Sequence, residues 1–206
     1  MANIKHTNTE LKTQIEALNR FERFLPMLQL KKQQLQMEIQ NINDALKKIR
    51  SKKHLILENI KSWIKLFAEP VDINSLIKFE AIILEEGNIA GVNIPIYKDT
   101  QIKVNKEKAI HAPPWVDDAI IALTELMQIE SQLLVYEKQK TLIEQELRVT
   151  SQRVNLFEKI KIPECKENIR IIRIFLGDEQ TASVARSKTA KKKLLMDTQQ
   201  QRGQAA

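Results

Sequence analysis

Between Thr150 and Leu176 the apolar residues Val154, Phe157, Ile162, Cys165, Ile169, Ile172 and Leu176 recur mostly at three- and four-residue steps. That spacing describes a helix with one apolar face, and such a face needs a partner along its length. The chain supplies only one other segment long enough, at its opposite end. There Leu11, Ile15, Leu18 and Leu25 form a first run, and Leu28, Leu35, Ile39, Ile42, Leu46, Ile49, Ile56, Ile60, Trp63 and Phe67 form a second. Four glycines in 206 residues leave spans 1–86 and 92–176 without one, as long uninterrupted helices require. Aromatics at 5% supply a thick globular core poorly.

Local signals place the helix ends. Thr7 and Glu10 have the three-residue spacing of a capping box. The first seam slips by three residues between Leu25 and Leu28 with Pro26 inside the slip, which predicts a kink. Pro70 is expected to end this helix. Pro113-Pro114 followed by Asp117 and Asp118 starts the next one, with acidic side chains suited to its positive end. Val116, Ile120, Leu123 and Met127 open its seam, and Ile143, Leu147, Val154 and Phe157 carry it on. Pro163 interrupts it, and Gly177 is a candidate stop.

Residues 70–114 break the helical period. Leu76–Leu84 fits strand or helix, 87–91 reads as a turn, and Val92–Tyr97 and Gln101–Val104 read as short strands. A small β-hairpin or three-stranded insertion is expected. Trp63 and Trp115 flank it and should meet at one end of a helical hairpin. The expected fold is mainly α: a long antiparallel two-helix coiled coil formed by the N- and C-terminal segments, with a small β-hairpin-containing insertion at the turn. Its parts are an N-terminal helix (1–69), the insertion (70–114), a C-terminal helix with a basic end (115–196) and a disordered tail (197–206).

Composition restricts the function. The net charge is +7, and residues from Ser183 onward carry six basic side chains against Asp197, so most of the excess lies there. The cluster of Arg186, Lys188, Lys191, Lys192 and Lys193 suits an acidic partner surface. No phosphate-gripping loop is present, since 87–91 lacks the lysine and hydroxyl of that motif. His6, His54 and His111 have no ligand spacing, so no metal and no cofactor are expected. Cys165 is the one cysteine and lies on the seam, as a small hydrophobe. No enzyme active site is expected. The polar first fourteen residues and the short apolar runs predict a cytoplasmic chain without membrane insertion. Leu30, Met37, Leu55, Ile171 and Ile174 fall outside the seams and are candidates for contact with a further partner.

Two motifs carry a resemblance. Residues 152–172, QRVNLFEKIKIPECKENIRII, resemble the C-terminal helix of the D subunit of V-type and A-type rotary ATPases, in which an RVNALE-like motif precedes an Ile-Pro dipeptide. Residues 88–97, NIAGVNIPIY, are similar to that family's mid-chain motif around a Gly-Val and a proline, here Gly91 and Pro95. Thr9–Leu11 and Leu28–Leu35 resemble its N-terminal pattern more loosely.

The resemblance implies a non-catalytic central rotor shaft that couples ATP hydrolysis or synthesis in a hexamer of A and B subunits to rotation and proton or sodium transport. It implies further partners in the small F subunit and a funnel-like subunit above the membrane rotor ring, and a cytoplasmic location peripheral to the membrane. Arg153, Val154, Asn155, Glu158, Pro163, Gly91 and Pro95 become candidate shaft contacts, and the basic cluster a candidate contact with the hexamer. No nucleic acid is expected as a partner. A prefoldin-like chaperone and a basic nucleic-acid-binding coiled coil are the competing readings.

Overall fold

The computed structural model describes residues 4–105 and 112–204, without the side chains of Asn74 and of residues 195–204. In chain order the elements are helix α1 (Asn8–Trp63), a 3-10 turn (Ile64–Ala68), the one-turn helix α2 (Ile73–Leu76), strands β1 (Ile77–Ile89) and β2 (Val92–Val104), helix α3 (Trp115–Leu156), a π turn (Phe157–Lys161) and helix α4 (Ile162–Gln204). The fold is mainly α with a two-stranded antiparallel hairpin between two long helical segments, as the seams predict. Contacts divide the chain into two units, Leu30–Ser151 and the pair Met1–Gln29 with Gln152–Ala206.

In the unit Leu30–Ser151, α1 and α3 join along their seams. Leu35, Ile42 and Leu46 of α1 meet Ile129, Leu133 and Ile143 of α3, and Ile94 of β2 closes the same cluster. Lys31–Glu146 (2.7 Å), Arg50–Glu137 (3.0 Å) and Lys53–Glu130 (2.8 Å) bridge the two helices. Rising numbers on α1 meet falling numbers on α3, so the pair is antiparallel. Lys31–Glu146 is half-buried and the other two are at least partly exposed; each contributes little energy, but together they favour one register. A second cluster joins Leu76 and Ile77 to Val116. Beside it Phe67 links the two tryptophans, with ring centroids 5.4 Å from each, and the Trp115 indole N–H donates to Glu69 at 2.9 Å. The two tryptophans therefore meet through Phe67, as their flanking positions suggest.

The other unit is thinner. Val154, Cys165, Ile169 and Ile172 are buried, while Leu11, Ile15, Leu18, Leu25 and Leu28 of α1 are half-buried. Here too the pairing is antiparallel. His6 stacks on Phe175 (4.7 Å), Asn168 donates to Gln14 (3.4 Å), and Phe21 tilts against Phe157 (4.9 Å). Thr7 caps α1, its hydroxyl oxygen accepting the Glu10 N–H at 3.2 Å. The Glu10 carboxylate accepts from Gln14 instead of completing a reciprocal box.

α1 stays helical from Asn8 to Trp63 with Pro26 inside it, so the proline at the expected kink does not end the helix. Several local expectations are corrected. α1 ends at Trp63, and only a tightened 3-10 turn continues toward Pro70. β1 begins at Ile77, since the β-branched run outweighs Leu76, which closes α2. The expected short strands from Val92 to Val104 are one strand of 13 residues, and Lys98 is a bulge between paired neighbours. Among the described residues the insertion is a hairpin rather than three strands, and only Ala90-Gly91 turn, because Gly87 and Asn88 pair with Ile94 and Asn93. α4 passes through Gly177, whose added Cβ would meet open space, and its backbone stays helical to Gln204.

By length and composition alone, the helical stretch Trp115–Leu194 contains a segment apolar enough to cross a membrane, which the short apolar runs did not predict. Part of its apolar content is core. Val116, Ala119, Ile129, Leu133, Val135, Ile143 and Val154 are buried against protein.

Candidate functional site

The motif around residue 154 divides by direction. Val154 is 3% exposed and belongs to the seam, so it holds the helices together. Arg153, Asn155, Glu158 and Pro163 lie along α3, the π turn and the start of α4, and all four are exposed. Three residues of one motif therefore present polar groups outward from a stretch whose inner face is fixed by Val154 and Phe157.

The turn between the motif and Pro163 has a local cause. The Ile162 N–H donates to the Phe157 carbonyl, five residues back instead of four. Pro163 has no N–H, and in a regular α-helix its ring would press on the carbonyl four residues earlier. A widened turn just before it relieves that clash. Nearby, Lys161 pairs with Glu164 (2.9 Å), and that hydrogen bond raises the lysine above its ordinary range. Burial pushes the Cys165 thiol up, with Glu164 adding to it, which suits an unreactive seam residue. Two fork-like bonds from Arg170 hold the Glu167 carboxyl below its usual range.

Gly91 and Pro95 lie in the other unit. Gly91 has φ +79° and Ala90 φ +50°, and together they form the two-residue turn of the hairpin. Asn88 fastens that turn by accepting the Gly91 N–H (3.0 Å) and donating to Asn93 (2.7 Å). The Pro95 carbonyl accepts a hydrogen bond from the Gln139 side chain, which ties β2 to α3. Gln139 was missed in the sequence. The signal was the width of the apolar surface: Ile129, Ser131, Leu133, Val135 and Gln139 are all buried, more than one helical stripe allows.

Arg186, Lys188, Lys191, Lys192 and Lys193 are exposed on α4. Leu30, Met37 and Leu55 in one unit and Ile171 and Ile174 in the other are also exposed, as their positions outside the seams predict. Phe24, Met27, Ile160 and Leu134 join that group, although the spacing did not single them out. His6 stacks on Phe175, His54 faces Glu58 one turn on, and His111 lies outside the described residues. Among the described residues no three metal-binding side chains converge. A shallow groove of about 580 Å³ between the hairpin and α3, lined by Ile82, Leu84, Pro95 and Leu134, has Glu85, Glu86 and Lys138 along it. The arrangement offers surfaces for contact and a stiff scaffold to hold them.

A family model for the ATP synthase D subunit matches residues 10–192. Proteins named as the D subunit of V-type ATP synthase are similar over nearly the whole chain. The one from Borreliella burgdorferi is 44% identical over 195 residues, 95% of this chain and 96% of that protein. Those from Chlamydia abortus (34%) and Chlamydia caviae (31%) each cover 93% of both chains.

Proposed function

Since this chain belongs to the ATP synthase D subunit family, we propose that it is the non-catalytic central shaft of a V/A-type ATPase. It couples nucleotide turnover in a hexamer of A and B subunits to rotation and to proton or sodium transport. The small F subunit and a funnel-like subunit above the membrane ring are its other partners, and the protein works on the cytoplasmic side, peripheral to the membrane. The observation that carries this reading is the match over residues 10–192, which takes in both helical arms, the hairpin and part of the basic cluster. That extent favours the shaft over a prefoldin-like chaperone or a nucleic-acid-binding coiled coil.

The physics of the fold suits the role. Two interlocked helices resist twisting better than one. An asymmetric shaft that touches three catalytic sites differently links its angle to their nucleotide affinity. Arg153, Asn155, Glu158 and Pro163 serve as outward shaft contacts in this reading, Gly91 and Pro95 shape the hairpin, and the basic cluster faces acidic loops of the hexamer.

Affinity purification of the tagged full chain from its native cells tests the proposal. Recovery of a nucleotide-binding hexamer with a small globular partner is expected. Recovery of the chain alone, or of a chaperone-like oligomer of its own kind, would refute it.

A further inference from the structure

The seam of the C-terminal arm contains one residue too many. Its steps are three, five, three, four, three and four from Val154 to Leu176. The five-residue step runs from Phe157 to Ile162, and these are the two residues joined by the i to i−5 hydrogen bond. Removing any single residue between them would leave steps of three and four throughout. The π turn is therefore how the helix absorbs an extra residue without throwing the following seam off its face.

The geometry points to Phe157–Lys161 as a joint, a stretch that opens and twists more readily than the α-helix on either side. Three observations converge on it. Hydrogen bonding is incomplete there, because Pro163 cannot supply a donor to the turn before it. Packing is thin there: no residue between Val154 and Cys165 is buried, whereas Cys165, Ile169 and Ile172 are buried at successive turns. The outer side is bare, with Glu158, Lys159 and Ile160 exposed in succession. Few buried contacts together with exposed main-chain hydrogen bonds are what lower the cost of local opening.

Pro163 also holds the joint in place. A π turn can move along a helix by exchanging one hydrogen bond at a time, but here the missing donor and the extra residue occupy the same turn. Moving the turn away would leave two separate lesions instead of one. An upstream α-register continuous with Ile162 would also bring Asn155 and Glu158 into the seam in place of Val154 and Phe157, which their polarity opposes.

The inference rests on this chain's own seam and not on the shaft reading, so the isolated full chain suffices for the test. Hydrogen–deuterium exchange read by mass spectrometry should show the amides of 157–162 exchanging about ten-fold or more faster than those of 165–172. Deleting Lys159 together with Pro163→Ala, which removes the ring clash that a regular helix would otherwise restore, should abolish the difference and leave the melting temperature unchanged or raised, while Lys159→Ala at full length should preserve the difference. Equal exchange of the two stretches in the natural chain, or fast exchange persisting after the deletion, would overturn the joint. So would a deletion variant that fails to fold, because a continuous seam should be no less stable. As a second measure, Pro163→Ala restores a donor and should slow exchange at 157–162, and unchanged exchange there would count against the proposal.

Discussion

Ala90 occupies a backbone conformation that suits glycine. At φ +50° its Cβ lies close to the following carbonyl, a crowding that costs roughly 1 kcal/mol. Ala90→Gly relieves the crowding but loosens the unfolded chain, so the two effects partly offset, and a net gain of about 0.5 kcal/mol is expected in denaturant melts. Gly91→Ala has no such relief at φ +79° and should lose about 1 kcal/mol. A second residue-scale cost sits in the core of the same unit. The Thr150 hydroxyl is fully buried and has no hydrogen-bond partner among the described residues. Thr150→Val keeps the shape and removes the orphan group, and should raise stability by about 1 kcal/mol in the same assay. A loss of stability would mean that the hydroxyl is satisfied by solvent.

At the scale of elements, the helical arms were legible because three- and four-residue spacing survives over many turns. Leu35, Ile42, Leu46, Val154, Ile169 and Ile172 all fall where that spacing puts them. What the spacing concealed has a common cause, namely contact that is not local. The middle of α3 is covered by the hairpin as well as by α1, so Val135 and Gln139 are buried outside the stripe. The hairpin was read as separate strands because Lys98 and Asp99 look like a break, whereas the paired strand carries them through as a bulge. The outward motif residues were legible as a motif, and the five-residue step from Phe157 to Ile162 marked an irregularity, but the spacing does not say that the helix widens there rather than breaks, since Pro26 and Pro163 look alike in sequence. The end of α4 belongs to this scale as well. If the basic cluster faces the proposed hexamer, replacing Lys191, Lys192 and Lys193 by Gln should weaken assembly with it and flatten its salt dependence, read by co-purification over a salt series. Unaltered assembly and salt response would remove the cluster from the contact surface.

For the whole molecule, the division into two units has a spectroscopic consequence. Both tryptophans, Trp63 and Trp115, and both tyrosines, Tyr97 and Tyr136, belong to Leu30–Ser151. The unit formed by Met1–Gln29 and Gln152–Ala206 contains neither type. Intrinsic fluorescence is therefore blind to it, whereas far-ultraviolet circular dichroism weighs the helices of both. The thinner unit, with its smaller set of fully buried residues, should melt first. Circular dichroism should then begin to fall at a lower denaturant concentration than the fluorescence, and coincident transitions would instead show one cooperative body. A tryptophan placed at Phe175, which already stacks on His6, would give the silent unit a signal of its own.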